Sequence, residues 1–246
     1  MPESRYNAIR GVLLDIEGTT SPISFVYDVL FPYARSRMRQ FLEANSGQRE
    51  VSMELQELNR QNAADVQEGA PNIEDSNGAM VETAAEYCLW LMDCDRKSAP
   101  LKAIQGLIWE HGYRNGDLRG EIFADVPVAL SRWHAQQRTV AIFSSGSVLA
   151  QKLLFGYTRS GNLTKYISFF FDTRTGPKHD PESYRRIAAE IQRDPGSLLF
   201  VSDVTKEVAA ARGAGLHTAL AVRPGNPDTA SSDHPVIHSF DELVLN

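Results

Sequence analysis

Four short apolar runs constrain this chain more than any other feature of it. They lie at 12–14, 140–143, 168–171 and 198–201, are rich in Val, Ile, Leu and Phe, and each gives way to polar residues. Runs that short and that apolar read as strands buried on both faces of a parallel sheet. A fifth run, 217–222, ends before Arg223-Pro-Gly. Helical stretches at 183–193 and 206–214 separate the later strands, with Gly213 and Gly215 closing the second. This alternation predicts an α/β fold, a parallel sheet with helices on both faces.

Between the first strand and the second the period changes. Val26, Val29, Leu30, Tyr33, Met38, Phe41 and Leu42 recur at helical spacing. So do Val81, Ala84, Ala85, Cys88, Leu89 and Met92, and then Leu101, Ile104, Leu107 and Ile108. Pro32 marks a kink or a helix start, and the polar stretch 67–78 reads as a loop. The expectation is a core of residues 1–20 and 123–246 with an all-helical insert at 21–122. The insert's apolar stripes are most simply its own core. An insert next to the catalytic edge is also well placed to act as a lid.

Several function classes are disfavoured. The net charge is −6 and there is no basic block of five or more residues, so nothing points to nucleic acid. No apolar run approaches the roughly 18–20 residues of a membrane helix, and the polar start Met-Pro-Glu-Ser-Arg-Tyr-Asn has no apolar signal region. Cys88 and Cys94, six apart in an expected helix, face different ways and are expected as free thiols of a reducing compartment. A cytoplasmic protein with no membrane or nucleic-acid partner is expected. It is expected as a monomer, since no apolar face is surplus to the core.

Polar clusters at the strand ends carry the chemistry. Asp15 and Glu17 follow the first strand, two apart, so their side chains project the same way. Ser144, Ser145 and Gly146 follow the second, Lys178 lies a few residues beyond the third, and Ser202 and Asp203 follow the fourth, with Glu207 one helical turn later. Taken singly each has a plain explanation: a solvated turn, a helix cap, a surface lysine. Together they supply what phosphoryl transfer needs. Asp15 is the candidate nucleophile, and Glu17 the acid that protonates the leaving oxygen and then activates water. Ser144 and neighbouring amides can hold phosphate oxygens, and Lys178 adds positive charge beside them. Asp15, Asp203 and a main-chain carbonyl near Glu17 suit Mg²⁺, which takes few carboxylates.

These motifs resemble the haloacid dehalogenase superfamily, whose phosphatase signature is Asp-x-Asp-Gly-Thr. Here the second acid is Glu17, and a dehalogenase usually lacks an acid there, so the pair argues for phosphatase chemistry. The closer resemblance is to the enolase-phosphatase E1 family, the acireductone synthases of methionine salvage. It is carried by Asp15-Ile-Glu-Gly-Thr-Thr-Ser-Pro-Ile-Ser-Phe-Val26 and its continuation Asp28-Val-Leu-Phe-Pro-Tyr33. Phe143-Ser-Ser-Gly-Ser147, Gly176-Pro-Lys178 with Ser183-Tyr184, Ser202-Asp203 with Glu207, and Gly112-Tyr113 followed by Gly116 and Gly120 are also similar to its pattern. The resemblance implies a Rossmann-like parallel sheet core with helices on both faces and an inserted all-helical cap. It implies a small phosphorylated metabolite, 2,3-diketo-5-methylthiopentyl-1-phosphate, enolised and dephosphorylated to 1,2-dihydroxy-3-keto-5-methylthiopentene. It implies one Mg²⁺ per chain held by Asp15, Glu17 (through its carbonyl) and Asp203, with substrate contacts at Ser144, Ser145 and Lys178. The base for enolisation is left open between Glu17 and a metal-bound water. Phe25 and Trp109 could hold the methylthio tail or could simply be core. The alternatives are a Mg²⁺-dependent, cap-bearing phosphatase of another small phosphorylated metabolite, and a silent sheet domain that only binds. The presence of both Asp15 and Lys178 argues against the silent domain.

Overall fold

The computed structural model describes residues 8–74, 79–227 and 233–245. The polar start at 1–7 and part of the loop expected at 67–78 (residues 75–78) lie outside the described residues. The chain divides into two compact units, Met1–Val26 with Arg119–Asn246, and Tyr27–Leu118.

The first unit is built on a six-stranded sheet: β1 (Gly11–Leu14), β2 (Thr139–Phe143), β3 (Phe169–Phe171), β4 (Leu198–Ser202), β5 (His217–Ala221) and β6 (Val236–Ile237). The order is β3-β2-β1-β4-β5-β6, with every pairing parallel. Strand order therefore reverses beside β1, and the crevice at such a switch point, outside the carboxyl ends of the strands, is where open α/β sheets bind ligands. β6 has only two residues, too few for a sequence pattern to reveal. Helices α5 (Val126–Ala135), α6 (Val148–Gly156), α7 (Pro181–Ile191) and α8 (Thr205–Gly213) connect the strands. α7 begins two residues before the sequence pattern suggests. Asp180 caps it by accepting from the Glu182 amide at 2.9 Å, and Pro181 opens its first turn. Leu13, Phe143, Phe200, Tyr184 and Ile187 pack into one buried cluster between β1, β2, β4 and α7. Burying one such side chain contributes on the order of 1.5–3 kcal/mol.

The second unit is helical: α1 (Phe31–Asn45), α2 (Arg49–Asp65), α3 (Met80–Asp93) and α4 (Ala99–Asn115). Pro32 sits in the first turn of α1, where its missing N–H costs nothing. The helical stripes are buried at Met38, Phe41 and Leu42, at Ala84, Ala85 and Cys88, and at Leu101, Ile104 and Ile108. A polar knot closes the unit. The Tyr87 hydroxyl donates to Asp65, which also pairs with Arg96 at 2.9 Å. Trp109 is a packing residue: its indole N–H donates to the Leu30 carbonyl at 2.8 Å, and its ring lies against Phe31. Among the described residues, no helix is long and apolar enough to cross a membrane.

Candidate active site

Parallel register decides which side chains meet at the sheet's carboxyl edge. Leu14 pairs with Ile142 on one side and Val201 on the other, so Asp15 leaves the sheet between Phe143-Ser144 and Ser202. The Asp15 amide still donates to the Val201 carbonyl at 3.0 Å, which keeps the residue in line with the strand. Asp15 is 4% exposed, and its Oδ1 accepts the Ile16 amide at 2.7 Å.

Lys178 reaches this point from the loop after β3. Its Nζ lies 2.6 Å from Asp15 Oδ1 and 2.7 Å from Glu207 Oε2. Burial alone would push this ammonium down, but Asp15 and Glu207 outweigh it and hold Lys178 above its ordinary value. The loop is shaped by the start of α7. Ser183 Oγ donates to the Pro177 carbonyl at 2.8 Å, and the Tyr184 hydroxyl to the Lys178 carbonyl at 2.6 Å. Gly176 has φ +145°, and a Cβ there would run into Ser183 Oγ, so glycine is required. Tyr184, fully buried edge-on to Phe143 and Phe200, thus ties the lysine loop to the core.

Ser202 and Glu207 complete the cluster. Ser202 Oγ is 3.2 Å from Asp15 Oδ2 and 2.9 Å from Glu207 Oε2, within hydrogen-bond reach of both. Asp15 and Glu207 pair with Lys178, and the nearby Asp203 carboxylate is within electrostatic reach of all three. Burial first and the Asp15 charge second push Asp203 up to about 7. Burial and Asp15 likewise raise Glu207. Asp203 Oδ1 is buried with no hydrogen-bond partner. A buried carboxylate oxygen left bare beside other anions is costly unless a cation joins it. Among the described residues no three His, Cys, Asp or Glu side chains form a ligand cluster. The candidate donors are two carboxylates, Asp15 and Asp203, with the main-chain carbonyl of Glu17, a set that fits a hard, water-retaining ion.

The serine loop is arranged differently from its plainest reading. Ser147, not Ser144 or Ser145, caps α6, accepting from the Ala150 amide at 3.3 Å. Ser144 is buried and its Oγ accepts the Gly146 amide at 3.2 Å, while Ser145 is exposed. Gln151 fixes the loop from below by donating to the Gly146 and Phe171 carbonyls, both at 2.8 Å. Glu17 is half-buried in the turn after Asp15. The sequence placed Ser202 and Glu207 in the cluster after the fourth strand and Tyr184 in the family pattern, without saying what any of them touches. Two signals marked Glu207, its helical spacing from Asp203 and its place in the family pattern, but neither showed that it reaches Lys178.

The family model of haloacid dehalogenase-like hydrolases matches residues 9–215. The chain is 49% identical to "Enolase-phosphatase E1" of Synechococcus elongatus over 96% of its own length and 98% of that protein's. It is 45% identical to the protein of the same name from an Enterobacter species, over 96% of both chains. Among solved structures, the UTR4 protein of Saccharomyces cerevisiae superposes with a TM-score of 0.77 at 34% identity, covering 95% of this chain and 99% of that one.

Proposed function

The chain belongs to the haloacid dehalogenase-like hydrolases and, within them, to the enolase-phosphatase E1 family, and on that premise we propose how its residues act. It is an enzyme of phosphoester chemistry, the acireductone synthase of methionine salvage. Its reaction takes 2,3-diketo-5-methylthiopentyl-1-phosphate to 1,2-dihydroxy-3-keto-5-methylthiopentene and phosphate. The observation that carries the residue roles is the buried contact of Asp15 with Lys178 at the switch point of the sheet.

Asp15 attacks phosphorus, the bond to the leaving oxygen breaks, and an aspartyl-phosphate forms. Glu17 protonates that leaving oxygen, then takes a proton from the water that hydrolyses the acyl phosphate and frees Asp15. Lys178 keeps Asp15 oriented and places positive charge beside the transferred phosphoryl oxygens. Ser144, Ser145 and the amides of their loop hold the phosphate. The bare Asp203 Oδ1 supports one Mg²⁺ per chain held by Asp15, Asp203 and Glu17 through its carbonyl. When bound, that ion would offset the charge between Asp15 and phosphate and polarise the substrate carbonyl for enolisation. Residues 21–122 serve as the inserted cap and 1–20 with 123–246 as the catalytic core. In this reading the enzyme is a cytoplasmic monomer whose partner is the metabolite, not a membrane or a nucleic acid. Its net charge of −6 supports the last point.

The direct test is incubation of the purified enzyme with the diketo phosphate, following the enediol by ultraviolet absorbance and free phosphate in parallel. Both products are expected in equal amounts. Phosphate without any enediol would instead favour a plain phosphatase of another small phosphorylated metabolite.

Lys178→Ala is expected to cost about 3 kcal/mol of barrier, roughly a hundredfold in turnover. Lys152→Ala should do almost nothing, because Lys152 is exposed on α6 with its Nζ 5.8 Å from the Phe170 ring centroid. Steady-state phosphate release on both variants checks this, and equal small losses would contradict the role given to Lys178.

A further inference from the structure

The turn after Asp15 is held from outside by the segment that follows β5. Gly18 has φ +66°, and a Cβ there would run into Asp203 Oδ2, so the turn lies directly against that carboxylate. Thr19 is fully buried and its Oγ accepts the Asp203 amide at 3.0 Å. The amides of this turn are satisfied within it: Gly18 donates to Ser21, and Thr19, Thr20 and Ser21 donate to Ile16. Its outward carbonyls are not. Asn226 Nδ2 donates to the Gly18 carbonyl at 2.9 Å, and Arg223 Nε to the Thr19 carbonyl at 3.1 Å.

Arg223 is an unusual residue to find there. It is 5% exposed, with its guanidinium carbon 4.8 Å from the Phe123 ring centroid and 4.6 Å from that of Phe240. Its Nη1 donates to Asp125 Oδ2 at 2.8 Å and to the His238 carbonyl at 2.9 Å. Asp125 Oδ2 in turn accepts the Phe240 amide at 2.6 Å and the Ser239 hydroxyl at 3.1 Å. The guanidinium is therefore packed against two rings and held at Nη1 by two acceptors, while Nη2 is buried without a partner, and what it presents to the turn is the Nε donor. A charge this deeply buried is costly, and an apolar side chain could fill the same space beside the two rings more cheaply.

We propose that Arg223, with Asn226, is a positioning residue for the cation site: it fixes the Gly18–Thr19 turn so that the Glu17 carbonyl and the Asp203 carboxylate stand at the separation one ion requires. The proposal rests on the metal-dependent phosphatase reading above and adds to it a part that touches neither metal nor substrate. Losing an outer partner of this kind typically weakens metal affinity or activity by roughly 10–100-fold.

The test uses Asn226→Ala and Arg223→Lys in the full chain. Mn²⁺ binding to the substrate-free protein is titrated by the electron paramagnetic resonance of free Mn²⁺, and the Mg²⁺ dependence of turnover is measured at saturating substrate. About tenfold weaker Mn²⁺ binding is expected for each variant. The Mg²⁺ requirement should rise in parallel, excess Mg²⁺ should restore most of the turnover, and KM for substrate at saturating metal should not move. If Arg223→Lys fails to fold, Asn226→Ala, which leaves the Arg223–Asp125 pair intact, decides alone. Wild-type Mn²⁺ affinity in a folded variant overturns the proposal, as does a loss of turnover that excess Mg²⁺ leaves uncorrected. A wild-type enzyme that neither binds Mn²⁺ nor needs Mg²⁺ would instead overturn the metal-dependent reading.

Discussion

Asp15→Asn is expected to abolish phosphate release, to below about a thousandth of the wild-type rate, while the protein stays folded. Loss of a nucleophile in an enzyme whose groups act as a unit costs several orders of magnitude. The amide matches the carboxylate in shape and can still accept from the Ile16 N–H that Oδ1 now accepts, at 2.7 Å. It cannot attack phosphorus usefully, and it leaves Lys178 paired only with Glu207, 2.7 Å away. The fold should survive because Asp15 stands just past the end of β1 and not in the packed cluster of Leu13, Phe143 and Phe200. Circular dichroism and the thermal midpoint check the fold, and a phosphate assay with deamidation excluded by mass spectrometry checks the chemistry. Enolisation needs no phosphoenzyme, so at saturating Mg²⁺ the variant should still exchange the substrate's C1 protons in D₂O. Turnover above a few per cent of wild type would rule out covalent catalysis by Asp15.

Metal removal should have an effect of similar size. Asp15, Asp203 and Glu207 lie within electrostatic reach of a single lysine, and a phosphate dianion entering that set meets an excess of negative charge. Asp203 is the acid best placed to gain from a cation, with Oδ1 buried and bare and the carboxyl pushed up to about 7 by burial and by Asp15. Exhaustive chelation followed by dialysis into metal-free buffer should reduce both enediol formation and phosphate release to background. Adding back Mg²⁺ should restore both. Full activity after chelation, with residual metal below the enzyme concentration by mass spectrometry, would contradict the metal site.

Much of the fold was readable because its signals are local. A strand buried on both faces must be short and apolar, so β1, β2 and β4 stand out in composition alone. The stripes of α1, α3 and α4 show the helical period because each helix buries one face. α5 and β6 carry no comparable local signal. α5 lies next to a polar turn with no strong cap, since Asp125 caps nothing and pairs instead with Arg223. β6 has only two residues.

The candidate site divides along the same line. Asp15, Glu17, Ser144, Lys178 and Asp203 were legible because a parallel sheet collects whatever follows its strands at one edge, so position in sequence implied position in space. Arg223 also follows a strand, yet it read only as a strand terminator, because its partners Thr19 and Asp125 lie 204 and 98 residues away. The sequence by itself determined the sheet, the helical insert and the inventory of acids, serines and lysine, all of which depend on neighbouring residues. The tertiary structure alone decided that Lys178 bridges Asp15 and Glu207, that Asp203 keeps a bare oxygen, and that Arg223 braces the turn after Asp15. Those outcomes depend on the register between strands and on distances between side chains far apart in the chain, and neither is encoded in any local pattern.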